Sequence, residues 1–298
     1  AGLGLAGAVL SGGGGGGSNE EGGSGGVVPT PHMESVIDNA GDKTGPLKSG
    51  EPTDDTTPSF SGSGTPGSTI IIKDGDKVIG VTTVNGNGQW EFTPQTPLDE
   101  GNYQITFTEK NPAGIESTPT TPFILTIDTT APGKPGAGGN GGIDLVIDNV
   151  GLVTGPIANG GITDDTTPTL SGGGQTPGDT VTIFDNGLPL DTVIVGPDGT
   201  WTYTPPPLNE GEHSLTLIVT DPAGNASEPS DPYTITVDTT APAAPVITSV
   251  FDDQGAVTGN IVAGSITDDA QPQISGTAEP GSTLIIYDNG VEIGRETV

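Results

Sequence analysis

The chain repeats itself at the length of a whole domain. Val-Ile-Asp-Asn stands at Val36 and again at Val146, and each copy leads to Asp-Thr-Thr-Ala-Pro, with 90 positions from Asp38 to Asp128 and from Asp148 to Asp238. Val-Phe-Asp-Asp at Val250 opens a third copy. Between these markers the adjacent pairs Asp54-Asp55, Asp164-Asp165 and Asp268-Asp269 stay in register, as do Trp90 and Trp201. Self-similarity over about a hundred residues means separate domains in a string, each closing its own core.

Within a repeat, apolar residues alternate with polar ones. Ile70 and Ile72, Val181 and Ile183, and Leu284 and Ile286 fall on one face of matching segments, the period-two pattern of a half-buried strand. The same reading puts Trp90 with Phe92, Trp201 with Tyr203, and Ile105 with Phe107 on inward faces. Asp74-Gly75, Asn186-Gly187 and Asn289-Gly290 are hairpin dipeptides, because type I′ turns need positive φ. Strands are expected to begin near residues 36, 58, 68, 77, 88, 102 and 121. Seven short strands with Gly, Pro and Asn turns predict an all-β fold of tandem immunoglobulin-like β-sandwiches.

The expected layout is an apolar stub and Gly/Ser-rich flexible linker over residues 1–35, a first repeat over 36–132 and a Gly-rich linker over 133–143. A second repeat follows over 144–242, then a truncated third over 243–298, whose core is expected to need strands beyond Val298. The apolar run Ala1 to Leu10 is about half the ~20 residues needed to cross a bilayer and lacks a basic leader, so no membrane span is expected in it; it reads as the tail of a missing element, whether or not that element is a membrane anchor.

The balance of 7 Lys and Arg against 38 Asp and Glu gives a formal charge of −31. Such a chain repels nucleic acid and anionic membranes and attracts cations. It has no cysteine, which removes disulfides and thiolate chemistry from consideration.

The segments Thr-Asp-Asp, Pro-Gly followed by a strand and Asp-Asn-Gly, Gly-x-Trp, Asp221 to Ser227 (Asp-Pro-Ala-Gly-Asn-Ala-Ser) and Asp-Thr-Thr-Ala-Pro together resemble the bacterial Ig-like repeats of giant Gram-negative surface adhesins. The resemblance runs from Val36 to Val298. It implies a type I-secreted protein at the bacterial cell surface, associated with the outer membrane, that acts in adhesion and biofilm formation with host or bacterial surface ligands as partners. It also implies Ca²⁺ at the junctions between neighbouring repeats, stiffening the rod.

An up-and-down ordering of the seven strands sorts the loops to two ends. It puts Asp54, Asp55 and Asp128 at the exit of the first repeat, and Asp148, Asp221 and Asn225 at the leading end of the second. A second junction would gather Asp164, Asp165, Asp238, Asp252 and Asp253. Ca²⁺ takes six to eight oxygens from carboxylates, carbonyls and water, and crowded carboxylates need a cation. The competing reading is a solvated turn in which Asp caps backbone amides. On the metal reading, replacing Asp164 and Asp165 by Asn leaves the sandwich intact and loosens the joint. Lys110-Asn111 stand where the second repeat has Thr220-Asp221, as expected for a first repeat with no upstream partner.

No enzyme is expected. The two histidines, His32 in the linker and His213 in an inward slot matching Tyr103, have no nucleophile beside them. Two alternative functions stay open, a glycan- or cell-binding module carried by exposed aromatics and an accessory domain of a secreted hydrolase.

Overall fold

A computed structural model of the chain describes residues 27–136 and 141–298. The apolar decapeptide, the Gly/Ser run up to residue 26 and residues 137–140 of the Gly-rich linker lie outside the described residues. Every regular element described is a strand.

The first sandwich comprises β1 (His32–Asp38), β2 (Gly45–Pro46), β3 (Pro52–Thr53), β4 (Ser59–Ser63), β5 (Thr69–Asp74), β6 (Lys77–Thr83), β7 (Gln89–Phe92), β8 (Gly101–Lys110) and β9 (Phe123–Ile127). They form a four-stranded sheet, β2-β1-β4-β7, facing a five-stranded one, β3-β9-β8-β5-β6. Phe60, Ile70, Ile72, Trp90, Ile105, Phe107, Leu125 and Ile127 fill the space between them. Trp90 lies 5.2 Å from Phe107, ring centre to ring centre. Each of these side chains contributes roughly 1.5–3 kcal/mol by leaving water.

The second sandwich repeats this order as β10 (Leu145–Asp148), β11 (Gly155–Pro156), β12 (Gly161–Thr163), β13 (Thr169–Gly172), β14 (Thr180–Asp185), β15 (Leu188–Ile194), β16 (Trp201–Tyr203), β17 (Gly211–Thr220) and β18 (Tyr233–Val237). Its sheets are β11-β10-β13-β16 and β12-β18-β17-β14-β15. The third repeat contributes β19 (Val246–Asp252), β20 (Gly259–Asn260), β21 (Gln273–Thr277), β22 (Thr283–Asp288) and β23 (Val291–Thr297). These pair as β20-β19-β21 and β22-β23. Leu284 and Ile286, matching the fully buried Ile70 and Ile72, stay half-buried.

The all-β tandem architecture is as the sequence predicts, with three local differences. The first strand starts at His32 rather than near residue 36, so His32 is a strand residue paired with Ser63 and not part of a linker. The segment after it is not a plain loop. It crosses to the other sheet, where β3 runs parallel to β9 through Pro52↔Thr126 and Thr53↔Ile127, and β12 does the same beside β18. The first hairpin turns on Gly75-Asp76, because Asp74 still pairs with Lys77 as the last residue of β5. Asn186 and Gly187 do form the predicted positive-φ pair, at +50° and +79°.

The chain divides into two compact units. The first holds the described residues up to Gly133 together with Gly178–Thr180 and Val219–Glu228, and the second holds the remainder.

Candidate functional site

The two aspartates of each pair have different environments. Asp55 is buried. Its Oδ2 accepts the Asn39 amide at 2.8 Å and its Oδ1 accepts the Thr57 amide at 2.8 Å. Asp38, at the end of β1, accepts the Thr53 hydroxyl at 2.5 Å and the Ala40 amide at 3.0 Å. Thr53 Oγ1 in turn accepts the Asp55 amide at 3.1 Å. Two carboxylates and one threonine thus tie the crossing segment to its own sandwich.

The same staple recurs in the second repeat through Asp148, Thr163 and Asp165. In the third it is built by Asp252, Thr267 and Asp269. Asp148, Asp165, Asp252 and Asp269 are all buried. A buried carboxylate accepting amide hydrogens is a costly group to disturb, because removing it strands donors away from water.

The first aspartate of each pair lies nearer the surface. Its carboxylate packs on a glycine of the preceding turn, Asp54 on Gly41 (φ +66°), Asp164 on Gly151 (φ +72°) and Asp268 on Gly255 (φ +70°). A Cβ on any of the three would meet a carboxylate oxygen at 2.0–2.2 Å. That contact and the positive φ explain why the sequence writes glycine three residues after each strand-end aspartate. Burial pushes the Asp54 carboxyl above its usual range, and the charges of Asp38, Asp55 and Asp221 push it further in the same direction. Asp54 Oδ1 is enclosed and has no hydrogen-bond partner among the described residues.

Within the first compact unit the expected residues Asp54, Asp128, Asp221 and Asn225 do come together. Asn225 Nδ2 donates to the Asp128 carbonyl at 2.8 Å and to Asp221 Oδ2 at 3.0 Å. Asp221 Oδ1 accepts the amides of Gly224 and Asn225, both at 2.9 Å. The turn-capping reading therefore holds for Asp221. Asn111 gives its own loop a similar cap by accepting the Ile115 amide at 2.9 Å, so the Asp-to-Asn difference between repeats preserves this turn.

Three expected placements change. Asp148 ends β10 and bonds Thr163, so it belongs with Asp164 and Asp165 at the exit end of its sandwich, not at the leading end. Asp252 likewise ends β19, a seven-residue strand or roughly 20 Å past its start, with Asp253 following it. The first strand of each repeat ends on the Val-Ile-Asp or Val-Phe-Asp motif instead of starting at it, and this moves each aspartate to the opposite end. Asp55 and Asp165 are structural parts of their own domain, against the expectation that the pair serves only the joint. Asp238 is exposed, its Oδ1 accepting the Thr240 amide at 3.0 Å.

Several participants were not read from sequence. Lys43 Nζ donates to the Pro222 carbonyl at 2.6 Å and lies 3.5 Å from Glu51. Glu100 accepts the hydroxyls of Thr129 and Thr130, and Glu210 those of Thr239 and Thr240. The repeated Glu-Gly before each long strand, Glu100-Gly101 and Glu210-Gly211, was the available clue to the glutamates. Trp90 and Trp201 are buried and offer no face to a sugar.

The fit to a divalent cation is partial. Asp54 provides an enclosed oxygen without a donor, and Asp221 adds a second negative charge nearby. Among the described residues, however, no three His, Cys, Asp or Glu side chains are grouped to hold a metal. No helix among them is long and apolar enough to cross a membrane.

The family model described as "Bacterial Ig-like domain" matches residues 30–129 and 146–239. Among solved structures the chain is similar to the fibronectin(III)-like modules of Clostridium thermocellum CbhA, with 15% identity over 68% of this chain and 94% of that one, at a TM-score of 0.36. It is also similar to the BSP domain of a biofilm associated protein, with 25% identity over 72% of this chain and 30% of that one, at a TM-score of 0.23. The human OSCAR ligand-binding domain matches at 14% identity over 71% of this chain and 100% of that one, at a TM-score of 0.33. No curated protein matches the chain.

Proposed function

The chain belongs to the bacterial Ig-like domain family, and from that premise we propose that it is a non-enzymatic spacer, a stalk of tandem sandwiches in a large adhesin at the bacterial surface. It would be exported by a type I system and would support cell adhesion and biofilm formation. The observation that carries this reading is the threefold staple of Asp, Thr and Asp. A catalytic or ligand-binding pair would be placed once, in a cleft, whereas a device that fixes the end of a sandwich gains by repetition.

Ca²⁺ is the cation we propose for the Asp54 and Asp221 end of the first unit. Asp54 and Asp221 would hold it, with carbonyl oxygens and water completing the shell, and it would neutralise carboxylates that repel one another. Two protein carboxylates make a weak site, of the ~10⁻⁴ to 10⁻³ M class suited to an extracellular module. Small-angle scattering of the whole chain tests the stiffening. Millimolar Ca²⁺ is expected to raise the radius of gyration, and an unchanged value sinks the calcium-stiffened stalk.

A further inference from the structure

His213 stands where the first repeat has Tyr103, and the two side chains solve the same problem with different chemistry. Tyr103 donates its hydroxyl to the Asp99 carbonyl, four residues back, at 2.7 Å. His213 is within 2.8 Å of the Asn209 carbonyl through Nε2, again four residues back. Its other nitrogen, Nδ1, lies 2.7 Å from Asp185 Oδ2. A carbonyl and a carboxylate can only accept, so both ring nitrogens must carry hydrogen for both contacts to be made. The tyrosine needs one proton for its corner, and the histidine needs two.

Asp185 depends on this contact. Its second oxygen, Oδ1, is buried with no hydrogen-bond partner among the described residues. In the first repeat the matching Asp74 is satisfied differently, accepting the Gln104 amide at 2.8 Å. His213 is itself buried. The other charged groups nearby are turned away: Glu210 is engaged with Thr239 and Thr240, and Glu212 is exposed on the alternate face of β17. Across the sheet His213 faces Ile235 of β18, which does not titrate.

We propose that His213 and Asp185 form a proton-operated lock on the corner leading into β17, closed when the imidazole carries both protons and loosened when it loses one. Burial by itself lowers the His213 pKa, but the Asn209 carbonyl and the Asp185 carboxylate outweigh it, so the folded value lies above 6.5. For a group raised in this way, the stabilisation is fully present below pH 6.5 and is lost as pH rises through the folded value. The first sandwich has a tyrosine at this position and lacks such a lock. The second is therefore held most firmly in mildly acidic surroundings.

The test uses the whole chain, which has only two histidines, so proton NMR follows both imidazoles separately. The His213 signal is expected to titrate above 6.5, and Asp185→Asn to move its midpoint down. Amide exchange in β17, corrected for intrinsic pH dependence, should speed up as pH passes that midpoint, while β8 does not respond. His213→Tyr should remove the response in β17. A wild-type midpoint at or below 6.5, an Asp185→Asn midpoint that does not move, or equal responses in β17 and β8 would overturn the lock. If His213→Tyr does not fold, the wild-type titration and Asp185→Asn decide alone.

Discussion

Asp164 and Asp165 are neighbours with separate roles. Asp165 is buried and accepts the amides of Asn149 at 2.9 Å and Thr167 at 2.8 Å, whereas Asp164 is exposed and packs on Gly151. Asp165→Asn turns one acceptor into a donor facing an amide and should cost about 1–3 kcal/mol in urea unfolding of the second sandwich. Asp164→Asn should stay within about 0.5 kcal/mol. Equal costs would mean that the staple is not what holds the crossing segment. The Ser-Gly inside β4, repeated in β13 and β21, has a similarly local cause. A Cβ on Gly62 would lie 2.0 Å from the His32 carbonyl oxygen and 2.4 Å from the Trp90 ring. Gly62→Ala should therefore destabilise the first sandwich, read as a lower thermal midpoint.

Strand β7 shows what one short element contributes to a sandwich. It pairs with β4 through Phe60↔Phe92 and Gly62↔Trp90 and delivers Trp90 to the centre of the core, against Phe107. Trp90→Ala should cost about 3–5 kcal/mol, cavity included. A domain of this size has a total stability of roughly 5–15 kcal/mol, so the first sandwich would become marginal. Circular dichroism melts should show the transition of the first sandwich lowered or missing. The alternation that places Trp90 was legible in the sequence. The parallel strands β3 and β12 were not, since pairs as short as Pro52-Thr53 carry no periodicity and are defined only by the partner strand they meet.

At the scale of the whole molecule, the charge of −31 repels itself and attracts cations. The Asp54 carboxyl is raised above its usual 3.8 by burial first and by Asp38, Asp55 and Asp221 next. Its ionised form thus costs stability at neutral pH, a cost relieved as pH falls through the raised value. A bound cation should relieve it as well. Asp54→Asn is therefore expected to raise the Tm of the first unit without Ca²⁺ and to shrink the further rise that Ca²⁺ produces. An Asn variant that melts lower than the parent, or that keeps the full calcium response, would show that Asp54 neither suffers the repulsion nor takes part in holding the ion.

The sequence by itself determined the tandem β-sandwich. Repeat length, alternation and turn dipeptides are local or periodic properties, and they survive without knowledge of partners. It also marked the Asp-Asp pairs, since all three copies spell them in register. Only the tertiary structure decided which aspartates are spent on their own fold. Burial and hydrogen bonding depend on where β1 begins and on which sheet the crossing segment joins. The first strand of each repeat ends on its aspartate rather than opening beside it, and this carries Asp38, Asp148 and Asp252 to the other end of their sandwiches. Lys43 and Asp185 were invisible for the same reason, because a lone Lys or Asp has meaning only through the carbonyl or imidazole that the fold brings to it.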